Sequence, residues 1–175
     1  FTKTAKKGVY ITSITGAELS YNIDENAASA VVKKMLHTAN ANFGIELTIH
    51  KGFSPGSGLG SSAASAAGAA FGANQLLGNI YSTLELTKFA MFGEEVACGT
   101  QIADNVAAAI YGGFVLVRSY EPLEIIKLPV PSELRVVAIH PQIAIKTKDA
   151  RAVLPAKIAL KDAVTQWANV GGLIS

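Results

Sequence analysis

A glycine-rich loop that runs directly into a helix of small residues most limits how this chain folds and what it binds. The loop spans residues 51–62 with four glycines, and residues 63–77 continue with alanine, serine and glycine at helical spacing. Repeated glycine lets successive backbone N–H groups point inward and form a concave anion site. The start of a helix adds the positive end of its dipole, and Ser61 and Ser62 supply hydroxyls for phosphate oxygen or magnesium. The segment therefore favours a polyphosphate ligand.

Two well-known nucleotide-binding loops do not match this segment. A dinucleotide-binding fingerprint needs Gly or Ala where Ser61 stands. A P-loop ends in Gly-Lys followed by Ser or Thr, which this loop lacks. A flexible surface loop before a helix is the plain alternative, because most Gly-Ser stretches are no more than that. The loop alone thus indicates an anion site without identifying the class of protein.

The elements around the loop mix strands and helices without regular alternation. Hydrophobic spacing and capping residues predict helices at 26–37, 63–77, 83–98, 102–110, 149–154 and 160–174. Alternation and β-branched content predict strands at 9–14, 45–50, 114–118, 125–128 and 135–140. A doubly wound sheet would need strands and helices to alternate throughout, so the pattern predicts an α+β fold.

Composition argues against several kinds of partner. The formal net charge is only +2, and no basic run is interleaved with aromatic residues, so we expect no nucleic-acid partner. No long apolar stretch without charges could span a bilayer, so we expect no membrane partner. Cys98 is the single cysteine, which excludes an intramolecular disulfide and indicates a reducing compartment. The expected location is the cytoplasm.

Four ordered stretches together carry a family resemblance. They are the pattern Pro-x-x-Gly-Leu-Gly-Ser-Ser-Ala at 55–63, Gly93-Glu94 followed by 104–107 and 112–114, the segment 146–155, and the segment 161–164 with its helix. The first resembles the second signature of the GHMP kinases, named after galacto-, homoserine, mevalonate and phosphomevalonate kinases. The other three resemble the homoserine kinases within that superfamily. The resemblance covers the chain from about Asn26 to its last residue.

The resemblance implies a site for ATP and Mg²⁺. Ser62 and Glu94 are expected to hold the magnesium ion, a hard cation that prefers oxygen ligands. Lys51 and Asn26 are expected beside the adenine nucleoside, with a solvated strand end as the plain alternative for Lys51. The loop residues expected to bind the cofactor are Pro55, Gly56, Ser57, Gly58, Leu59, Gly60, Ser61 and Ser62.

The resemblance also implies the acceptor, L-homoserine. Asn105 stands where several relatives have an aspartate base, and an amide can orient a hydroxyl but cannot take its proton. Arg151 resembles the family's clamp on the amino-acid carboxylate, with Thr147 assisting. The implied reaction converts ATP and L-homoserine to ADP and O-phospho-L-homoserine in threonine biosynthesis, with Asn105, Glu94 and Ser62 as catalytic residues. A helix cap is the plain alternative for Asn105.

The implied architecture has two domains. Residues 1–131 would form the ATP-binding domain, like domain 2 of ribosomal protein S5 but truncated at its start. Residues 132–175 would form the first part of a ferredoxin-like C-terminal domain. The family's opening Asn- and Gly-rich segment and its third Gly-rich motif are not in the chain. We therefore expect a fragment that is weakly active or inactive alone.

Two other functions stay open. Another GHMP kinase, acting on a sugar or on mevalonate, is disfavoured by Asn105 together with Arg151, because only an amino-acid carboxylate needs the cation. A non-catalytic nucleotide-binding relative is disfavoured because Ser62 and Glu94 are both present. The chain departs from its relatives just before the Asn105 helix, where they commonly carry a histidine and this chain has Gln101-Ile102. The oligomeric state is open as well, with a homodimer as one alternative.

Overall fold

The structure, a computed structural model, describes residues 1–139 and 152–174. Its elements in chain order are β1 Thr2–Thr4, β2 Gly8–Thr15, α1 Ala27–Thr38, β3 Gly44–His50, α2 Ser61–Leu76, α3 Thr83–Cys98, α4 Asp104–Tyr111, β4 Phe114–Tyr120, β5 Leu123–Leu128 and α5 Leu160–Ile174. The chain divides into two compact units, Phe1–Ile145 and Lys146–Ser175. All strands and α1 to α4 lie in the first unit, and α5 lies in the second. The domain division at 131/132 stays a prediction.

Strands and helices combine as the sequence predicts, so the α+β class is confirmed. A three-stranded sheet has the order β1-β3-β2, in which β3 runs parallel to β2 and antiparallel to β1. Helix α1 connects the two parallel strands, as a parallel pair requires. Strands β4 and β5 form a separate antiparallel hairpin. A side chain at Gly44 would meet the Lys6 carbonyl oxygen at 2.1 Å, so β3 and the chain before β2 can approach this closely only with glycine there.

The core of the first unit is built from small residues. Helix α2 packs against α1, α3 and α4, and it buries six alanines: Ala63, Ala66, Ala67, Ala69, Ala70 and Ala73. Gly93 completes this packing from α3. A Cβ atom there would lie 2.7 Å from Val31 Cγ2 and 2.8 Å from Ala66 Cβ. Glycine therefore allows α3 to lie against α1 and α2 at once, which positions the next residue, Glu94.

Side-chain caps fix where two of the helices begin. Asn26 accepts hydrogen bonds from the Ala28 and Ser29 N–H groups at the start of α1. Ser82 and Glu85 form a capping box at the start of α3, in which each side chain bonds the other residue's backbone N–H. Both starts therefore follow from sequence signals, within one residue of the predicted bounds.

The strand predicted at 135–140 is wrong over its described residues. Residues 135–139 have no regular structure, and Val136, Val137 and Ile139 are more than 80% exposed. The apolar run has high strand propensity, but a strand also needs a neighbour, and no described strand pairs with this segment. Half of the helix predicted at 149–154, residues 149–151, falls outside the described residues. Among the described helices, none has the length and apolar character that crossing a membrane requires.

Candidate phosphate-binding site

The glycine-rich loop ends as the N-terminus of α2. Gly56, Gly58 and Gly60 have φ angles of +79°, +77° and +71°, the left-handed region that favours glycine. Gly60 is the residue that precedes the first turn, and no side chain caps the helix there. The first N–H groups of α2 therefore lack helical partners and are available to an anion. The first turn also carries no acidic side chain that would repel one.

Three hydrogen bonds connect the loop with the helix that follows it. The Ser61 hydroxyl, which is buried, donates to the Phe53 carbonyl oxygen at 3.0 Å. The Lys51 ammonium group donates to the Ser61 carbonyl oxygen and, at 2.7 Å, to the Ser65 hydroxyl. Burial lowers the pKa of Lys51, and the nearby Glu94 carboxylate opposes that shift. Lys51 is thus not a solvated strand end, because its charged group lies against the first turn of α2.

Glu94 points into the same region from α3 and is buried, with 5% of its surface exposed. Its Oε1 atom is the one buried side-chain polar atom in the described residues without a hydrogen-bond partner. Burial raises the pKa of Glu94, and Asp104 adds to the rise. The nearby Ser62 hydroxyl and Lys51 both oppose the rise. An unpaired buried carboxylate oxygen is costly, so this arrangement indicates a site for a positively charged ligand.

The donor set of Ser62 and Glu94 suits magnesium. A carboxylate and a hydroxyl are hard oxygen donors, and Mg²⁺ commonly binds proteins through one or two such groups plus phosphate oxygens and water. No cluster of three His, Cys, Asp or Glu side chains able to hold a metal occurs among residues 1–139 and 152–174. A cation here would therefore depend on phosphate oxygens for its remaining ligands. The residues fit Mg²⁺ bound together with a nucleotide.

Asn105 reaches the loop from the start of α4. A Cβ atom placed on Gly60 would lie 3.3 Å from Asn105 Cγ and 3.5 Å from its Oδ1, so the amide faces the glycine at the start of α2. The residue before the helix is Ala103, so Asn105 does not act as its cap. The structure thus brings together the loop, Ser62 with Glu94, and Asn105, which are separated by up to 50 positions in the sequence.

Other predicted residues lie elsewhere. Asn26 is buried at the start of α1, where its side chain caps the helix and donates to the Ser20 carbonyl oxygen at 3.0 Å. Thr147 and Arg151 lie outside the described residues.

A cavity of about 200 Å³ opens beside Lys51, between β3 and α2, and Phe53 lines it. Its place beside the loop suits the base and sugar of a nucleotide.

Two neighbours of the site are absent from the sequence prediction. Ser65 receives a hydrogen bond from Lys51, and its signal was its position four residues after Ser61, on the same helix face. Tyr120 bonds the backbone just before α4, at Ala103. That contact joins residues 17 positions apart and has no local signal.

The α+β fold and the phosphate-binding loop indicate a class of protein, and comparison with known sequences identifies that class. The chain belongs to the GHMP kinases, since the family description "GHMP kinases N terminal domain" matches residues 26–113, about half of the chain. Its relatives include the homoserine kinase of Chlorobium phaeobacteroides strain BS1, 48% identical over 175 residues, and that of Methanococcus maripaludis strain C5, 45% identical over 172 residues. These matches cover 95% and 97% of this chain.

A solved structure agrees with the sequence matches. The crystal structure of homoserine kinase from Cytophaga hutchinsonii ATCC 33406 is similar at a TM-score of 0.89 and 48% identity, over 98% of this chain. That match covers 55% of the solved chain, and the two sequence matches cover 55% and 56% of the relatives. The chain therefore spans about half the length of the curated relatives it matches.

Proposed function

We propose that this chain is the nucleotide-binding part of a kinase that transfers the γ-phosphoryl group of ATP to the side-chain hydroxyl of L-homoserine. The observation that carries the proposal is the buried Glu94 carboxylate with a free oxygen, lying beside Ser62 at the start of α2. Relatives named homoserine kinase match nearly the whole chain, which supports the substrate. O-phospho-L-homoserine as product, threonine biosynthesis as pathway and the cytoplasm as location are parts of the same proposal.

The loop and helix α2 bind the donor phosphates. Backbone N–H groups from Gly56 to Ser62 and the positive end of the helix dipole offset the negative charge of the β- and γ-phosphates. Lys51 holds the first turn of α2 through the Ser61 carbonyl oxygen, so the N–H groups keep their direction as the phosphates arrive. The cavity beside Lys51 receives the nucleoside. Phosphoryl transfer depends mainly on such positioning and charge neutralisation.

Ser62 and Glu94 hold the magnesium ion, which neutralises charge on the phosphate oxygens when it is bound. Glu94 serves this role because close packing at Gly93 positions the next residue, whose carboxylate lies near the Ser62 hydroxyl. Lys51 is close enough to Glu94 to favour the ionised carboxylate, which is the form that binds a cation. Ser62 and Lys51 thus both oppose the rise in the Glu94 pKa that burial causes.

Asn105 orients the acceptor hydroxyl. Its amide faces Gly60, where the phosphate end of the nucleotide would lie, and an amide accepts or donates hydrogen bonds without taking a proton at neutral pH. The acceptor oxygen then attacks the γ-phosphorus directly, its proton passes to an oxygen of the transferred phosphoryl group, the bond to the β,γ-bridging oxygen breaks, and ADP leaves with that oxygen. No side-chain base takes part. Arg151 binds the carboxylate of homoserine through a bidentate contact, assisted by Thr147.

Replacement of Arg151 tests the substrate. Arg151→Ala, made in the protein encoded by the complete reading frame, should lower kcat/KM for homoserine by about 30- to 1,000-fold and leave the KM for ATP nearly unchanged. Loss of a charge-assisted bidentate contact costs roughly 2–4 kcal/mol. The control is Arg118→Ala, because Arg118 is an exposed arginine paired with Glu124 at 3.2 Å on the β4–β5 hairpin. Homoserine kinetics within threefold of the control would contradict Arg151 as the carboxylate clamp.

A parallel substrate panel separates the two remaining alternatives. Homoserine, mevalonate and galactose are offered with ATP, and ADP formation is measured. Turnover of mevalonate or galactose above that of homoserine would support another GHMP kinase. ATP binding without turnover of any acceptor by the complete protein would support a non-catalytic relative.

A further inference from the structure

Tyr120, at the end of β4, makes a hydrogen bond that reaches the candidate site through one helix. Its phenolic oxygen accepts from the backbone N–H of Ala103 at 3.3 Å. Ala103 is fully buried and is the residue on which α4 begins, two positions before Asn105. Asn105 in turn faces Gly60 of the phosphate-binding loop. One hydroxyl thus connects the β4–β5 hairpin to the start of the helix that carries the acceptor-orienting residue.

Helix α4 needs such external support. It has only eight residues, and Ala103, the residue before its first turn, has no side chain able to cap it. Short helices are marginal alone and depend on tertiary contacts. At the other end of α4 the Lys127 ammonium group, on β5, donates to the Tyr111 carbonyl oxygen at 3.1 Å. The hairpin therefore contacts the backbone of α4 at both ends, with Tyr120 on the side of Asn105 and Lys127 on the far side.

We propose that Tyr120 is a positioning residue, whose hydroxyl holds the start of α4 so that the Asn105 amide meets the acceptor hydroxyl beside the γ-phosphate. The Tyr120 ring is about half exposed. Removal of the hydroxyl alone therefore leaves no new cavity in the core. This inference rests on the proposed function, because the effect on turnover passes through Asn105. It assigns a role to a residue outside the family motifs, on an element that does not touch the phosphate-binding loop.

The test is Tyr120→Phe, which removes the hydroxyl and keeps the ring. In the complete protein, kcat with homoserine should fall by about threefold to tenfold, the range expected for loss of one hydrogen bond. The KM for ATP should stay within about twofold, because the loop and Glu94 do not depend on Tyr120. Amide hydrogen exchange at Ala103 should speed up, since its N–H loses its partner.

The matched control is Tyr10→Phe. Tyr10 donates its hydroxyl to the Lys7 carbonyl oxygen at 2.8 Å, so the change also removes one hydroxyl-to-backbone bond, but in the sheet. We expect no change in kcat and none in Ala103 exchange. Lys127→Met is the second comparison, because it releases the far end of α4. Its effect on kcat should be smaller than that of Tyr120→Phe.

A double variant separates positioning from general weakening of the fold. If Tyr120 acts through Asn105, adding Tyr120→Phe to Asn105→Ala should cost little more than Asn105→Ala alone. Independent, multiplicative losses, or a rise in the KM for ATP that matches the fall in kcat, would overturn the positioning role.

The two proposals fail in different ways. Turnover unchanged by Asn105→Ala would overturn the role of Asn105 in the proposed function, and the Tyr120 inference with it. A clear loss in Asn105→Ala with Tyr120→Phe no different from Tyr10→Phe would overturn the Tyr120 inference alone.

Discussion

Glu94 is the residue at which packing and chemistry oppose each other most directly. Its carboxylate is buried, Oε1 has no partner, and burial raises the pKa. Such a group destabilises a fold unless it gains a partner in function. Gly93 makes the position possible, because only a glycine lets α3 approach Val31 and Ala66 closely enough. The local cost is therefore best explained by a cation that binds with the nucleotide.

We predict that Glu94→Gln removes the magnesium dependence of nucleotide binding while leaving the phosphate loop intact. The amide keeps the size of the side chain but loses the anionic ligand. Magnesium affinity should fall by at least the roughly 10- to 100-fold that loss of an outer-shell partner costs. Calorimetry of ATP binding with and without Mg²⁺ measures this. The control is Glu95→Gln, since Glu95 is the exposed neighbour bonded to Gln101 at 2.7 Å. An unchanged magnesium response in Glu94→Gln would remove Glu94 from the site.

The sequence identified residues that lie near the phosphate loop. It did not identify the atoms that these residues contact. The family resemblance implied Glu94 and Asn105, and the structure shows Ser62 near Glu94 and Gly60 near Asn105. The contacts of Lys51 were not predictable, because the ammonium group meets Ser61 and Ser65, which are 10 and 14 positions away, only in the folded chain. Long-range hydrogen bonds of this kind leave no periodic signal in the sequence.

At the scale of elements, the loop and helix α2 act as one unit with α4. Gly58 and Gly60 both have positive φ, so a side chain at either position strains the backbone. Only at Gly60 would the added atom also meet another element, at 3.3 Å from Asn105 Cγ. At Gly58 nothing lies within 4 Å. Substitution of Gly58 therefore tests backbone strain alone, whereas substitution of Gly60 tests backbone strain together with the contact with α4.

We predict that Gly58→Ala and Gly60→Ala lower stability by similar amounts, about 1–2 kcal/mol each, the usual cost of a left-handed residue with a side chain. Gly60→Ala should in addition displace Asn105 and lower kcat, whereas Gly58→Ala should affect mainly ATP affinity. Urea unfolding measures the first effect, and turnover by the complete protein measures the second. Equal kcat in the two variants would mean that Asn105 does not depend on its contact with Gly60.

A second element-scale prediction concerns the capping box of α3. Hydrogen bonds from Ser82 lower the pKa of the Glu85 carboxyl below its ordinary value of 4.5. The bond from the Ser82 hydroxyl has the largest effect and the bond from its backbone N–H the next, and Lys88 acts in the same direction. Because the folded-state pKa of Glu85 lies below the unfolded value, the ionised carboxylate stabilises the fold above pH 4.5. That stabilisation is lost as the pH falls through the folded-state pKa. Glu85→Gln should therefore remove part of the acid sensitivity.

Urea unfolding near neutral pH and near pH 3 tests this prediction. The difference in unfolding free energy between the two pH values should be smaller in Glu85→Gln than in the unmodified chain. Glu18→Gln serves as the control, because Glu18 is exposed and precedes α1. If both variants lose the same amount of pH dependence, the capping box is not its source.

Element boundaries were predictable where side chains mark them. The predicted bounds of α3 match the structure at both ends, because Ser82 and Glu85 cap the start and Gly99 adopts a left-handed conformation after the end. Strand β1 has only three residues and gave no clear pattern of its own. The strand predicted at 135–140 failed in its described part, since apolar content indicates strand propensity but does not supply a pairing partner.

At the scale of the whole molecule, the first compact unit gathers the parts of the site that bind nucleotide. The loop, Ser62, Glu94 and Asn105 come from α2, α3 and α4, which pack together through alanine and glycine. These contacts are all internal to the first unit. Arg151 lies outside the described residues, and its role in acceptor binding is a proposal from the sequence.

We predict that the 175-residue chain by itself binds Mg-ATP weakly and phosphorylates homoserine little or not at all. Binding needs the loop with Ser62 and Glu94, whereas turnover also needs a complete acceptor site, and the chain spans about half of its curated relatives. Calorimetry with Mg-ATP should give a measurable heat, which in Glu94→Gln should no longer depend on Mg²⁺. At a ligand concentration of about 100 Kd, binding should add about 2.7 kcal/mol to stability.

A coupled ADP assay with homoserine measures turnover, with the protein from the complete reading frame as reference. If the verified 175-residue chain turned over homoserine as fast as that reference, these residues would already hold the entire acceptor site. Absence of any Mg-ATP binding would instead show that the nucleotide site itself requires more than these residues.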